Sequence, residues 1–557
     1  MRPRRILLAV FPLTLATGLL AGCTMTDSGS SDTSSSSSSP AAAAADVALD
    51  SEQILDANED ATITEDDEWS TSNAVTITLD GSSATSDGDG VTIDDGTVTI
   101  TTAGTFILTG ESTANVVVAA PDDAVIALVL DGATITPADA AAIAVTSADD
   151  VVVSLTAGTT NHLSDTDSYA DDAVANAALW SDADLTITGD GALEVDGNGN
   201  DGISSTDDLV VLSGTITVDA ADDALRGKDS VTIADGDLTL DAGGDAVKSD
   251  QDDDAKQGYV VVSGGTVDLT AADDAVSAAT DLVVTGGDVT ATAQGKGLKA
   301  GVALVAEGGS ISATADDDAF HTNGTLHVSE AAQVTAASGD DGLHADVALL
   351  IDGGTVDVTR SNEGVESAAL EIAGGSVSVV SSDDGLNASS GSTTETADDT
   401  GDSGRLSGGG GPGGGGGGGE SDDGSTLTVS GGTTTVDAEG DGFDSNGSAS
   451  MTGGTLTVWG PVQQGNGALD VNGTFLVSGG TLLAVGSGGM AVSPSEESTQ
   501  ASTTLSTSGS AGDTVRIASS TGDVLETFVA EKDFSSIVYS STSLDDGDTY
   551  TANVSSD

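Results

Sequence analysis

The amino-acid sequence predicts an all-β fold, a right-handed parallel β-helix (solenoid) with coils of about 22 residues and small β caps. Three observations predict it: a short motif at nearly constant spacing, alternating apolar residues around glycine pairs, and very few aromatic residues. A helical fold is excluded because glycine and β-branched residues are frequent and no 3.6-residue period appears. An antiparallel sandwich is disfavoured because its hairpins would not keep one constant phase.

The recurring motif is a triplet of an acidic, a small and an apolar residue. Successive triplets are separated by 22, 22, 29, 22, 22, 23, 22, 21 and 57 residues. Their first residues are Asp201, Asp223, Asp245, Asp274, Lys296, Asp318, Asp341, Glu363, Asp384 and Asp441. We call these ten residues the lead column, because coils that stack in register place equivalent residues ~4.8 Å apart.

Each repeat also carries two short alternating segments around a glycine turn. Examples are VVVSGGTVDL at 260–269 and LVVTGGDVT at 282–290. Alternation over four or five residues is strand periodicity, and paired glycines mark a turn. Three short strands per repeat cannot bury their apolar side alone, so the coils are expected to stack around one shared core.

The chain divides into four predicted parts. Residues 1–23 read as a lipoprotein signal peptide, with early arginines, an apolar stretch at 6–20 and the small-residue sequence LAGC ending at Cys23. Residues 24–60 are rich in Ser, Ala and Asp and predict a disordered tether. Residues 61–500 form the solenoid, interrupted by a Gly-rich loop insertion at about 388–424, and residues 501–557 form a C-terminal β cap.

The signal sequence also predicts where the protein resides. The thiol of Cys23, the only cysteine, would carry the lipid, so we expect a monomer anchored to the extracellular face of the cell membrane. An ordinary signal peptide with an incidental cysteine is the alternative.

The charge balance limits the partners. The chain has 91 acidic and 13 basic residues, for a net charge of −78, so nucleic acid is excluded as a partner because its phosphates would be repelled. A single cysteine excludes disulfides and thiolate metal sites, and four histidines make a His-rich zinc site a poor expectation.

Stacked carboxylates predict calcium. Closely spaced carboxylates repel unless a cation compensates them, and calcium prefers six to eight oxygen ligands. The seven-residue insertion after Asp245 adds alternating aspartates in a loop. The predicted metal ligands are Asp201, Asp222, Asp223, Asp245, Asp250, Asp252 and Asp254. Two alternatives stay open: the aspartates bond the backbone of their own turns and face solvent, or the acidity is that of a halophilic protein.

A second column lies three residues after each lead residue. It consists of Ser204, Arg226, Lys248, Ser277, Lys299, His321, His344, Glu366, Asn387 and Asp444. Basic residues cluster in and beside it, and on so acidic a chain this indicates a defined binding strip. The candidate ligand-binding residues are Arg226, Lys228, Lys248, Lys299, His321 and His344. The alternative is that these cations only balance the lead column.

Four segments carry a family resemblance: NAALWSDADLTI at 176–187, NDGI at 200–203, DDALRGKDS at 222–230 and GDAVKSD at 244–250. With the GMA sequence at 489–491 and the cap around 539–541, they resemble the calcium-binding parallel β-helix family of bacterial surface carbohydrate-binding domain-containing proteins. The likeness covers most of residues 61–557. The sequence departs from the family at Ala224 and Ala246, where glycine is usual, and in its Gly-rich insertion.

The resemblance implies binding of plant-wall polysaccharide, notably polygalacturonate, and similarity to one class of pectate lyases. We therefore predict calcium-dependent, non-catalytic binding of an acidic polysaccharide. Only 14 aromatic residues are present, which argues against a flat stacking platform for a neutral crystalline glycan. One alternative is a polysaccharide lyase with Lys248 as the base that abstracts a proton. Another is a structural or adhesive surface solenoid.

Overall fold

The computed structural model describes residue 44 and residues 48–65, 68–94, 96–170, 172–329, 331–390 and 422–556. The predicted signal peptide with Cys23, and residues 391–421 of the predicted Gly-rich loop, lie outside this part. It includes an α-helix at Ser51–Ala57 and a 3-10 helix at Thr71–Asn73. Within these described ranges, no helix is both long enough and apolar enough to cross a membrane.

The strands stack into three ladders, which we name by their order within a coil. The short ladder comprises the strands Val91–Asp94, Thr97–Ile100, Asn115–Ala119, Ile143–Ser147, Ala177–Ser181, Asp201–Ser205, Leu225–Gly227, Val247–Ser249, Val276–Ala278, Leu298–Ala300, Phe320–Thr322, Leu343–Ala345, Val365–Ser367, Leu386–Ala388, Phe443–Ser445 and Leu469–Val471.

The middle ladder follows the short ladder in each coil. It comprises Val75–Gly81, Gly104–Ser112, Val125–Ile135, Asp150–Leu155, Asp184–Gly189, Asp208–Val211, Ser230–Ile233, Tyr259–Val262, Asp281–Val284, Ala303–Ala306, Thr325–Val328, Ala348–Ile351, Ala369–Ile372, Thr426–Val429, Ser448–Met451 and Phe475–Val477. An additional strand, Ser83–Ser86, pairs antiparallel with the first of these.

The long ladder completes each coil. It comprises Thr160–Ser164, Ala192–Gly197, Thr215–Ala220, Asp237–Ala242, Thr266–Ala271, Asp288–Ala293, Ser310–Ala315, Gln333–Ala337, Thr355–Arg360, Ser376–Ser381, Thr433–Ala438, Thr455–Trp459 and Thr481–Gly486. Two antiparallel strands, Ser536–Ser540 and Ser502–Leu505, close its C-terminal end. A separate three-stranded sheet consists of Thr514–Ser519, Val524–Val529 and Tyr550–Ser555.

Strand pairing confirms the predicted all-β, parallel architecture. Val247 pairs in parallel with Leu225 on one side and with Val276 on the other, although the seven-residue insertion lies between the last two. Ala369 pairs with Thr426, so the stack continues across the Gly-rich insertion. The antiparallel exceptions among described strands lie at the two ends, where hairpins protect the open edges of a sheet. The hand of the solenoid stays a prediction.

Alternation of side chains builds the core. Strands of the long ladder alternate exposed and buried residues, as in Asp237–Ala242, and their inward Val, Leu and Ala form one continuous apolar cluster with the other two ladders. The rings of Phe443 and Phe475 stack 5.3 Å apart inside it. Glycine is required at the turns: Gly265 has φ +83°, and a Cβ there would lie 2.6 Å from the carbonyl oxygen of Gly236 in the previous coil.

Of the predicted tether at residues 24–60, residues 24–43 and 45–47 lie outside the described part, whereas residues 48–60 are ordered along the solenoid. Residues 48–64, which we call the strap, run along the outside of the middle ladder and include the Ser51–Ala57 helix. Ile54 is 3% exposed and packs with Val283 and Val305. The strap is fixed because the middle ladder has apolar residues on its outer side, which the strap covers.

Candidate functional site

Except for Lys296, the lead column consists of buried or half-buried carboxylates, and most of them bond the backbone of the next coil. The backbone N–H of Asp245 donates to Asp223 Oδ1 at 2.9 Å, and that of Asp274 donates to Asp245 Oδ1 at 2.9 Å. The same bond recurs from Lys296 to Asp274, from Asp341 to Asp318, from Asp441 to Asp384 and from Gly467 to Asp441. These aspartates therefore satisfy backbone donors at a buried turn, one of the two roles that the sequence left open.

Burial changes the acidity of the lead column. Burial, with the charge of Asp223, raises the pKa of Asp201 to about 7. Burial also raises the pKa of Asp245 to about 6 and, with the charge of Asp441, that of Asp384 to about 7. Burial thus disfavours the ionised form of these carboxyls, and a cation bound beside them would favour it.

The second column forms along the short ladder as the spacing predicted. Arg226 pairs with Ser204 and Lys248, and the register continues through Ser277, Lys299, His321, His344, Glu366, Asn387 and Asp444. The strands that carry it are only three residues long in most coils, and their flanking residues are buried. In these coils one side chain per strand is therefore partly exposed, whereas Ser204 and Asn387 in the same column are buried.

The two lysines of this row, the second column, are paired with the lead column. Lys248 Nζ lies 3.2 Å from Asp223 Oδ2 and 3.0 Å from Asp245 Oδ2. Lys299 Nζ lies 2.9 Å from Asp274 Oδ2. Each ammonium thus neutralises buried carboxylates. Burial alone would lower the pKa of Lys248, but the charges of Asp223 and Asp245 outweigh it and hold that pKa above its usual value.

The predicted metal ligands are only partly brought together. Asp201, Asp222 and Asp223 form one acidic group whose ligand oxygens lie within 4.8 Å of one another, and Asp245 forms another with Asp273 and Asp274. Among the described residues, such groups do not include Asp250, Asp252 or Asp254. Asp250 accepts from Arg226 Nη2 at 2.7 Å instead, while Asp252 and Asp254 are exposed.

The remaining candidates occupy distinct surroundings. Lys228 is half-buried, and its positive charge interacts with the carboxylates of Asp207 and Asp229. His321 Nδ1 lies 2.8 Å from Asp318 Oδ2. Lys296 Nζ lies 2.7 Å from Asp318 Oδ2, and although burial opposes it, these two partners lower the pKa of Asp318.

The side chains of the second column change from basic to acidic between His344 and Glu366. His344 Nδ1 lies 2.6 Å from Asp341 Oδ2 and 3.6 Å from Glu366 Oε2, and its ring centroid is 5.0 Å from that of His321. Burial, with the charges of Glu363 and Asp341, raises the pKa of Glu366 to about 8. Burial alone would lower the pKa of His344, but its bond to Asp341 raises it to about 9.

Seven residues of these groups were not among the predicted metal ligands: Asp273, Asp274, Asp317, Asp318, Asp340, Asp341 and Glu366. The signal was present, because the same pair of acidic residues recurs in these coils. The prediction of metal ligands was confined to residues 201–254, where the alternating aspartates of the insertion lie.

Comparison with known proteins identifies the segment that carries most of the site. Residues 94–342 match the family model described as carbohydrate-binding domain-containing protein. The predicted resemblance is confirmed. The matched segment contains Arg226, Lys248, Lys299 and His321, and it ends two residues before His344.

One relative and one solved structure share this likeness. A carbohydrate-binding domain-containing protein of Acetivibrio thermocellus is 41% identical over 97 residues, which are 17% of this chain and 34% of that protein. The chain thus spans about a third of the length of the relative it matches. The gadolinium derivative of a polysaccharide lyase-like protein from C. thermocellum is 28% identical, with a TM-score of 0.37 over 50% of this chain and 96% of the other.

Proposed function

We propose that this protein binds an acidic, polygalacturonate-like polysaccharide in a calcium-dependent manner and without cleaving it. The observation that carries the proposal is the position of Arg226, Lys248 and Lys299. These basic residues of the second column lie within residues 94–342, which match the model of the carbohydrate-binding domain-containing family. The proposal includes a right-handed solenoid with coils of about 22 residues, and a lipid anchor on Cys23 that holds the protein at the outer face of the cell membrane.

The paired cations keep capacity for a ligand. The side chains of Arg226, Lys248 and Lys299 are 26%, 31% and 41% exposed. Arg226 uses Nε and Nη2 for Asp250, whereas a guanidinium has five N–H donors, and an ammonium has three. The outward donors of three stacked coils can therefore form charge-assisted hydrogen bonds to the carboxylates of a sugar chain.

Calcium is proposed because the protein would otherwise repel its ligand. A chain with a net charge of −78 opposes the approach of a polyanion. The group of Asp201, Asp222 and Asp223 and the group of Asp245, Asp273 and Asp274 flank the basic row, and each has an exposed member. Calcium held there would still have coordination positions for sugar oxygens, since it takes six to eight ligands.

The lyase alternative is weakened at its proposed base. A general base must be unprotonated at working pH, and Lys248 lies between two carboxylates that raise its pKa. Lys248 therefore fits the role of a fixed positive charge better than that of a proton acceptor.

The test is titration of the mature chain with polygalacturonate in calcium and in EDTA. We expect binding only with calcium, weakened about tenfold, or ~1.4 kcal/mol, by Lys299→Met. Arg516→Met is the matched control, because Arg516 is an exposed cation on the C-terminal sheet. Lys248→Met is a poorer probe, since it leaves Asp223 and Asp245 without their ammonium.

Three outcomes would contradict the proposal. Equal affinity in calcium and in EDTA would remove the metal requirement. Release of unsaturated sugar products, which absorb in the ultraviolet, would make the protein a lyase. Failure to bind any uronate polymer in calcium would favour the structural or adhesive solenoid.

A further inference from the structure

We propose that Asp341, His344 and Glu366 bind a divalent transition-metal ion, best matched by zinc. This site does not include Arg226, Lys248 or Lys299, the cations proposed to bind the glycan. Asp341 is the second-last residue of the segment 94–342 that the family model matches, and His344 and Glu366 lie beyond it, so two of the three ligands are outside that segment.

The backbone places the three ligands in one small volume. His344 and Glu366 are direct partners on neighbouring strands of the short ladder, Leu343–Ala345 and Val365–Ser367. One donor atom from each of the three side chains lies within 4.8 Å of the other two. Tetrahedral zinc with bonds of 2.0–2.2 Å needs donors about 3.4 Å apart. The 3.6 Å between His344 Nδ1 and Glu366 Oε2 fits already, and the 2.6 Å to Asp341 Oδ2 has to open by roughly 0.8 Å.

A buried amide beside the ligands supplies an independent sign of a missing partner. Asn387 is 6% exposed, and its Nδ2 donates to Glu363 Oε2 at 2.6 Å and to Glu366 Oε1 at 3.4 Å. Its Oδ1 has no hydrogen-bond partner among the described residues. A buried acceptor without a donor is costly, and this amide contacts Glu366 directly, so the polar group without a full set of partners lies beside one of the three ligands.

The charge pattern of the row explains why an added cation belongs here. In the earlier coils Lys248 and Lys299 pair with carboxylates of the lead column, and Arg226 pairs with Asp250. After Lys299 the second column contains no Lys or Arg, and its next members past the histidines are Glu366, Asn387 and Asp444. A metal at Glu366 would do for this part of the stack what the ammonium of Lys248 does for the other.

The ligand types select the metal. Calcium and magnesium prefer oxygen donors, whereas imidazole nitrogen with carboxylate oxygen suits zinc and its neighbours in the first transition row. A second group, Asp318, His321 and His344, shares one histidine with this site. It is the weaker candidate because Lys296 already neutralises Asp318 at 2.7 Å.

The competing account is an ion-pair network without metal, in which a protonated His344 joins Asp341, Asp346 and Glu366. The two accounts differ in what zinc does. The experiment is titration of the EDTA-treated and dialysed mature chain with Zn²⁺ and with Co²⁺, followed by calorimetry and by visible absorption of the cobalt form. No polysaccharide is present, so the result does not depend on the proposed glycan binding.

We expect one zinc per chain that equimolar Ca²⁺ does not displace. His344→Gln and Glu366→Gln should each weaken zinc binding at least tenfold. His162→Gln is the matched control: His162 also pairs with an aspartate, Asp196 at 2.9 Å, but on the long ladder. Zinc affinity unchanged in His344→Gln, or displacement by equimolar calcium, would overturn the proposal.

A second measurement covers variants that fail to fold. X-ray absorption at the zinc edge of the wild-type chain should show one imidazole nitrogen with oxygen ligands. A first shell of oxygen alone would place the ion on the exposed carboxylates and refute the site.

Discussion

Asp245 carries two functions in one side chain. Its Oδ1 accepts the backbone N–H of Asp274 at 2.9 Å, and its Oδ2 lies 3.0 Å from Lys248 Nζ. The first contact holds one coil to the next, and the second places a cation on the surface. A residue that joins the stack to the candidate binding strip explains why this position in the repeat is acidic rather than merely polar.

The two contacts can be separated by substitution. Asp245→Asn keeps an acceptor for the N–H of Asp274 but loses the charge facing Lys248. Asp245→Ala loses both, so it should lower the free energy of unfolding by a further ~1–3 kcal/mol, the cost of a buried donor left without a partner. Denaturant unfolding of both variants measures the difference. Asp252→Ala, on an exposed loop, should change stability by less than about 0.5 kcal/mol. Equal stability of the Asn and Ala variants would contradict the backbone role.

Both columns could be predicted from the sequence, but their pairing could not. A constant spacing defines which residues stack, and the short ladder has that register. The spacing does not define which carboxylate a long flexible cation reaches. Lys248 turns back to the leads of its own coil and the preceding one, and Arg226 reaches the insertion at Asp250. These ion pairs involve Asp223, Asp245 and Asp250, which the sequence had assigned to calcium.

At the scale of single elements, the strap is the feature that sequence reasoning missed. Its seven-residue helix, Ser51–Ala57, lies in a stretch whose composition resembles a linker. The signal was in the strands it covers. Asp281–Val284 and Ala303–Ala306 are buried at every position, so their outward residues need a cover, whereas a solvated strand would alternate. Reading both sides of each strand would have predicted a partner for the middle ladder.

The strap should detach without unfolding the solenoid. Ile54 packs in a small cluster of its own with Val283, Ala303 and Val305, separate from the continuous core. Ile54→Ala should therefore reduce the docking free energy of the strap by ~2–4 kcal/mol and leave the main unfolding transition nearly unchanged. Hydrogen exchange over residues 48–64 measures the release, and Glu52→Ala, on the exposed side of the same helix, is the control. A cooperative loss of the whole fold would show that the strap is part of the core.

At the scale of the whole molecule, stacking gives many carboxyls the same environment. Burial comes first among the causes that raise the pKa of Asp201 and Asp384 to about 7 and that of Glu366 to about 8. A column of this kind is stable either when protons are bound or when cations replace them. The stability of the whole chain should therefore depend on pH and on cations, because each coil packs on the next and the stability contributions of the coils add up.

The sign of this coupling is a testable property of the full mature chain. A carboxyl whose pKa is raised on folding stabilises the fold fully below its unfolded value, near 4, and that contribution is lost as pH rises through the folded value. In EDTA the melting temperature should therefore fall from pH 5 to pH 8, with Asp201, Asp384 and Glu366 as contributors.

The histidine acts in the same direction. The raised pKa of His344 adds stability that is present below its unfolded value near 6.5 and lost towards pH 9. Asp318, whose pKa is lowered, has the opposite sign, but its contribution is lost only below its usual value near 4, outside this range.

Calcium should flatten the dependence, because it binds the ionised carboxylates and stabilises the fold by mass action more at pH 8 than at pH 5. Calorimetry at four pH values, with EDTA and with calcium, measures both slopes. Asp201→Asn should reduce the EDTA slope, whereas the exposed Asp252→Asn should not. A melting temperature that rises from pH 5 to pH 8 in EDTA would mean that the lead column is ionised and compensated without any bound cation.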